Sequence, residues 1–304
     1  MSKTFIIGTR DSKLATWQAE WVARRLEESG HQGRLKYIKT EGDLVLDTPL
    51  PMMGGKGVFT KALDDALLAG EIDLAVHSFK DVPTRLPDGL KVAAIAERED
   101  HRDVLVTRKG LAFLDVPDYK AIIASSSLRR MSQWLDRYPK HTMTDIRGNV
   151  QTRLRKLEES DWDGAIFAAA GLIRLEMEGI ADQYLDWMIP APAQGAMAVM
   201  TREEDINTQQ ALALVHHKDT ALCTTIERDY LNELEGGCSA PIAALASVEN
   251  GKVYLKAAIL NPDGTGRIDT QLSEDIEQAR DLGRKAAAIA LEKGAGEIVS
   301  RIKG

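Results

Sequence analysis

Four short stretches of the chain collect hydroxyls, cations and a carboxylate directly after apolar runs. Thr9-Arg10-Asp11-Ser12 follows the first such run. His77-Ser78-Phe79-Lys80-Asp81 follows residues 72–76, and Ser125-Ser126-Ser127-Leu128-Arg129-Arg130 follows Ile122 and Ile123. Arg147-Gly148-Asn149 follows Ile146, with Arg153 about one helical turn further on. In open α/β sheets ligands gather beyond the carboxyl ends of strands, so these positions are where chemistry is expected. Unpaired amides at helix starts, serine donors and the paired N–H groups of arginine suit a ligand with several negative charges. The residue types leave carboxylate and phosphate equally open. One arginine of this kind is most often a solvated surface ion pair, but surface arginines have no reason to recur after apolar strands.

Asp81 is a carboxylate among cations and hydroxyls, placed where a general acid or a charge stabiliser would be useful; a turn cap ahead of Pro83 is the plainer alternative. Gly236-Gly237-Cys238 follows a helical pattern, and the glycines let the chain turn sharply and project the sulfur, although a small buried thiol is the commoner fate of a cysteine. Cys223 sits inside a helical pattern beside Leu222 and Ile226 and is assigned to the core. The six histidines show no metal-ligand spacing. Gly54-Gly55-Lys56-Gly57 lacks the spacing of a phosphate-binding P-loop and reads as a glycine-rich lid or an ordinary loop.

These segments need strands and helices to hold them. Residues 4–8 read as a buried strand, with Asp11 or Ser12 capping a helix that carries Leu14, Trp17, Trp21 and Val22 and ends at Gly30. Strands near 35–38 and 72–76 flank a helix over 59–68. The alternation repeats with helices over 128–138 and 150–157 and strands over 143–146 and 165–169. After a strand near 196–200 the texture changes. Helical patterns over 220–234 precede strands separated by Asn250-Gly251 and Asp263-Gly264, and a last helix is expected over 274–291.

At 304 residues, two or three domains are expected. With 39 Lys and Arg against 46 Asp and Glu, a formal charge of -7 argues against a surface built for nucleic acid or anionic lipid. Two cysteines without a CxxC pair suit a reducing cytosol. The first residues lack a signal-peptide pattern and no apolar run is long enough to span a bilayer, so the expectation is a cytoplasmic protein.

The strings Gly8 to Ala15, Gly54 to Phe59, His77 to Thr84, Ser126 to Arg130, Arg147 to Leu154, Ala170-Gly171-Leu172-Ile173-Arg174, Gln194-Gly195-Ala196 and Glu235-Gly236-Gly237-Cys238 occur in an order that resembles the porphobilinogen deaminase (hydroxymethylbilane synthase) family, nearly end to end. The resemblance implies an α/β protein of two periplasmic-binding-protein-like domains plus a C-terminal α+β domain with a small antiparallel sheet. The boundaries it suggests are 1–98 with 196–215, 103–191, and 218–304.

It also implies a dipyrromethane cofactor held by a thioether to Cys238, with porphobilinogen as substrate. No metal, nucleic acid, membrane or obligate protein partner is expected, and the family suggests a monomer. By the same resemblance Asp81 is catalytic. Lys80, Ser78, Ser125, Ser126, Ser127, Arg129, Arg130, Arg147 and Gly171 contact the cofactor, while Arg10, Ser12, Arg147, Arg153, Arg174, Gln194 and Lys56 contact substrate.

The chain departs from the family pattern at Ala124-Ser125, where Gly-Thr is frequent, and at Ala193, where glycine is common. Two other readings fit the residues: an anion-binding sensor on the same architecture, and a cysteine-nucleophile hydrolase, for which the sequence offers no identified histidine base.

Overall fold

The structure is a computed structural model that describes residues 2–40, 60–234 and 240–303. It divides into two compact units, residues 1–99 with 195–222 and residues 100–194 with 223–304. The three-domain boundaries expected from the sequence are finer than this division.

The first unit opens with strand β1 (Thr4–Thr9), helix α1 (Lys13–Glu28) and strand β2 (Gln32–Tyr37), followed by α2 (Lys61–Leu68), β3 (Leu74–Ser78) and β4 (Leu90–Ile95). Ser12 is the N-cap of α1: its backbone is extended and its Oγ accepts from the Ala15 amide at 3.3 Å. Gln18, Ala19, Val22, Ala23 and Leu26 form the buried face of that helix; of the expected Leu14, Trp17, Trp21 and Val22 only Val22 is buried, and Trp17 and Trp21 pack partly buried at its margin. They meet Phe5, Ile7, Leu74 and Val76 on the sheet, and burying each large aliphatic chain stabilises by about 1.5–3 kcal/mol. Strand order is β2-β1-β3-β10-β4, where β10 (Met197–Arg202) returns from later in the chain. β1 lies parallel to β2 and β3, and β10 lies antiparallel to β3 and β4.

The second unit repeats this plan. It contains β5 (Asp103–Thr107), β6 (Ile122–Ala124), α3 (Leu128–Arg137), β7 (Thr142–Thr144), α4 (Val150–Glu159), β8 (Gly164–Ala168), the short α5 (Ala169–Ile173) and β9 (Gln183–Tyr184). Order is β7-β6-β8-β5-β9, with β6 parallel to β7 and β8, and β5 antiparallel to β8 and β9. Trp134 of α3 is fully buried on one face, and Leu157 of α4 packs on the other. Each sheet thus has three parallel strands followed by a returning antiparallel one, and the strand order of one maps onto the other.

Helices α6 (Ile206–Ala211) and α7 (Lys218–Glu233) lead to a three-stranded antiparallel sheet, β11 (Ile242–Glu249), β12 (Lys252–Ile259) and β13 (Ile268–Asp275), then α8 (Leu282–Glu292) and α9 (Ala295–Lys303). Asn250 (φ 51°) and Gly251 (φ 76°) make the two-residue hairpin turn expected of that pair. Asp263-Gly264 instead lies in a longer connection, residues 260–267. The helix expected over 274–291 starts later, at Leu282, because β13 continues to Asp275 in register with Lys252, and a further helix, α9, follows it. The expected fold class, two α/β halves and a C-terminal α+β segment with a small antiparallel sheet, is the one observed.

Candidate functional site

In the first unit the chain leaves β3 through a single 3-10 turn, Phe79–Asp81. The Phe79 amide donates to the Ala196 carbonyl at 3.0 Å, which fixes the start of the turn against β10. Asp81 ends the turn and is exposed, whereas Lys80 is half-buried. A cleft beside it is lined by Arg10, Ser12, Gln18, His77, Ser78 and Asp81, among others. Gln18 Nε2 donates to Ser78 Oγ at 2.9 Å, and the Thr9 hydroxyl donates to the Ala15 carbonyl at 3.0 Å, so the cleft wall is tied to the first turns of α1. Guanidinium, hydroxyl and amide groups on the wall with one carboxylate at the rim can hold carboxylates and face a pyrrole N–H or a ring cation.

His77 is only 6% exposed, and its buried Nε2 has no hydrogen-bond partner among the described residues. Such a nitrogen costs about 1–3 kcal/mol when left unsatisfied. Burial, helped by the nearby Arg10 charge, pushes the imidazole down to about 4, so it is neutral at neutral pH.

In the second unit the centre is Asp103, at the start of β5 and wholly buried. Its carboxylate accepts from Arg129 Nη1 at 2.7 Å, from Arg130 Nε and Nη2 at 3.0 and 2.8 Å, and from Gln194 Nε2 at 2.9 Å. Several donors of the cluster also reach main-chain oxygens: Arg129 Nη1 bonds Ile189 O at 2.9 Å, Arg130 Nη1 bonds Ile166 O at 3.0 Å, and Gln194 Nε2 bonds His101 O at 2.8 Å, while Arg129 Nη2 donates to Gln194 Oε1 at 3.5 Å and Arg129 Nε has no partner among the described residues. Burial alone would raise the Asp103 carboxyl. The two guanidinium charges and the bonds from Arg129 and Gln194 outweigh burial and hold it far below the usual carboxylate range.

The loop above this cluster is shaped by serines. Ser125 Oγ accepts from the Ser127 amide at 3.3 Å, Ser126 Oγ exchanges hydrogen bonds with the Ile146 main chain, and Ser127 is the N-cap position of α3. Arg147 pairs with Asp145 at 3.3 Å. Gly148 has φ +110° and a Cβ there would sit 2.6 Å from Thr152, so only glycine fits. Arg153 Nε donates to Gly148 O at 2.8 Å. Gly171 is buried inside α5, and Arg174, at its end, is 5% exposed.

The structure therefore brings Arg10, Ser12, Ser78 and Asp81 together in one unit. In the other it gathers Arg129, Arg130 and Gln194 around an acid. Lys56 and Cys238 lie outside the described residues. Cys223 is buried, as expected for a core thiol.

Sequence reasoning missed Asp103 and Glu227. The signal for Asp103 was a charged residue opening an apolar strand. For Glu227 it was an acid on the same helical face as Cys223, Ile226 and Tyr230. Glu227 is fully buried and accepts from the Ala193 and Ala246 amides, both at 2.7 Å. Ala193 has φ +63°, which gives the physical reason glycine is common there: the turn needs a left-handed residue, and alanine adopts it under strain.

Residues 5–210 match the family described as "Porphobilinogen deaminase, dipyromethane cofactor binding domain", and residues 221–292 match "Porphobilinogen deaminase, C-terminal domain". The chain belongs to the porphobilinogen deaminase family. Among curated porphobilinogen deaminases it is 44% identical to that of Chloroherpeton thalassium over 100% of this chain and 99% of the relative. It is also 44% identical to that of Syntrophotalea carbinolica, over 99% and 96%. A solved structure with likeness in fold is the periplasmic VFT2 domain of Bordetella pertussis BvgS, with TM-score 0.42 and 14% identity over 70% of this chain and 86% of that one. No helix among the described residues is long and apolar enough to cross a membrane.

Proposed function

We propose that the chain condenses porphobilinogen units head to tail on a dipyrromethane primer, releasing ammonia at each step, and that hydrolysis by water finally frees hydroxymethylbilane. The observation that carries this reading is Asp81, an exposed carboxylate at the rim of a cleft whose wall offers the Arg10 guanidinium and the Ser12 and Ser78 hydroxyls, in a member of this family.

The donor set fits the primer. Each pyrrole of this class bears an acetate and a propionate, which call for guanidinium and hydroxyl donors, and a ring N–H, which calls for an acceptor. Cys238 would carry the primer through a thioether. The proposed contact residues for it, each in its own unit, are Lys80, Ser78, Ser125, Ser126, Ser127, Arg129, Arg130, Arg147 and Gly171. When bound, the dipyrromethane supplies the nucleophilic pyrrole carbon.

Arg10, Ser12, Arg147, Arg153, Arg174, Gln194 and Lys56 hold the carboxylates of the incoming unit. Its aminomethyl C–N bond breaks with the electron pair leaving on ammonia, the substrate ring becomes cationic, and its methylene carbon would then bond to the free pyrrole carbon of the primer. Asp81 offsets that charge at the ring nitrogen. It then takes up the proton released when aromaticity returns. Asp103 neutralises one of the two charges on Arg129 and Arg130, so the buried cluster keeps one excess positive charge beneath the serine loop.

The reading includes the three-domain division, 1–98 with 196–215, 103–191 and 218–304, and a cytoplasmic chain that works alone. The formal charge of -7 and the sparse cysteines support that location. The test is incubation of purified protein with porphobilinogen while ammonia and linear tetrapyrrole are followed, together with intact mass under denaturing conditions. Expected are both products and a mass above the polypeptide that Cys238→Ala abolishes. A bare polypeptide that makes no bilane overturns the reading.

A further inference from the structure

His77 is not used by the mechanism above, yet it lines the same cleft as Arg10, Ser78 and Asp81. The repeated plan of the two sheets shows what its position requires for packing. Ser78 pairs with Met197 as Ala168 pairs with Asp103, and the amide that follows each strand donates to the returning chain, Phe79 to Ala196 and Ala169 to Arg102, both at 3.0 Å. His77 therefore corresponds to Phe167, which is buried in an apolar cluster of its sheet. An aromatic hydrocarbon meets the packing need at this site. The imidazole adds a buried nitrogen that finds no partner among the described residues.

We propose that His77 is a further substrate-contact residue, whose Nε2–H donates to a carboxylate of the bound pyrrole that Arg10 also engages. The cleft wall already presents donors at Arg10, Ser12 and Gln18, so an anionic oxygen is the ligand group that this face suits. A second cation beside Arg10 would meet repulsion in the resting cleft. The imidazole avoids that because burial and Arg10 keep it uncharged near neutral pH, and a neutral ring still offers one N–H. A carboxylate brought within reach would favour the protonated ring, so occupancy of the cleft should raise the His77 pKa from its resting value.

This inference rests on the reading under Proposed function, and one set of assays separates the two. In the cofactor-loaded full chain, His77→Phe keeps the shape that the other sheet uses. Its KM for porphobilinogen is expected to rise ~10- to 100-fold, the loss of one hydrogen bond to a charged group, with kcat changed far less. His77→Gln, which retains an N–H donor, should recover most of that loss. A purely structural histidine predicts the opposite pattern: lowered thermal stability in His77→Phe and an unchanged KM. A folded His77→Phe protein with wild-type KM overturns the inference.

If His77→Phe does not fold, the measurement moves to the native side chain, using 15N-histidine NMR on Asp81→Asn protein titrated with porphobilinogen. A shift of the His77 Nε2 resonance and a raised pKa support the contact, and an unmoved resonance at saturation overturns it. Wild-type protein that makes no bilane instead sinks the functional reading on which this inference rests.

Discussion

The two α/β halves share a strand order but distribute charge in opposite ways. From the last residue of β3 onward the chain presents Ser78, Lys80 and Asp81; at the matching positions from the end of β8 stand Ala168, Ala170 and Gly171. In the loop between β1 and α1 the cation is Arg10, and the helix that follows starts at Lys13 and has the apolar Leu14 and Ala15 as its second and third residues, where the other half has Arg129 and Arg130. In the matching loop the residues are the serines 125–127, and the cations Arg129 and Arg130 have moved into the helix.

Two buried guanidinium groups need an internal acid, and Asp103 provides it at the place where the first half has Met197. An aspartate near arginines at a strand end therefore has two fates. Enclosed, as Asp103 is, it holds the fold; exposed at a rim, as Asp81 is, it remains available to a ligand.

The sharpest way to break this contrast is to neutralise each acid. Asp103→Asn leaves two buried arginines without an anion and should cost about 3–5 kcal/mol in denaturant unfolding; a loss below about 1 kcal/mol would mean the cluster is not the anchor its geometry indicates. Asp81→Asn should leave that stability unchanged while slowing ammonia release in single turnovers ~10²- to 10³-fold. Near-normal turnover would remove Asp81 from the chemistry.

A pH titration of stability separates the halves further. His77 has a folded value of about 4 against an ordinary 6.5, so its contribution is present above 6.5 and is lost as pH falls from 6.5 through about 4, on the order of 2–3 kcal/mol. His77→Phe should flatten that limb. Asp64, buried in the first turn of α2 with its carboxyl pushed up to about 6 by burial, acts with the opposite sign: its contribution is present below 3.8 and is lost as pH rises through about 6. Asp64→Asn should therefore gain about 1–2 kcal/mol relative to wild type at pH 8 and little at pH 4. The smallest effect expected is at Ala193. Ala193→Gly relieves the left-handed strain and should stabilise by about 1 kcal/mol or less, offset by the entropy of the added glycine.

Much of the architecture was legible because periodicity and punctuation agree locally. Ser12 caps where a cap was read, Asn250-Gly251 turns where a hairpin was read, and the helices beginning at Leu128 and Val150 start where the apolar period begins. The misjudged start of the helix before α9 arose from residues 274–281, a charged stretch that ends β13 and passes through a 3-10 turn at Ala279–Asp281 before the helix begins.

The site was legible as a set of residue types after strands. What stayed hidden was partnership. Nothing local to Arg129 or Gln194 reveals that Asp103, distant in sequence, joins them, and nothing local to His77 shows that its neighbours leave a nitrogen unmatched. Those facts depend on which strand returns beside which, a property of the assembled sheet.

Glu227 has a consequence for the order in which the molecule can be completed. Its carboxylate clasps the amides of Ala193 and Ala246, segments far apart along the chain. During synthesis from the N-terminus, the early sheets can form while this clasp still lacks its later half. The bend bearing Ala193 is thus secured from both sides only once β11 has emerged from the ribosome, which makes the last quarter of the polypeptide a finishing brace for a corner laid down long before it.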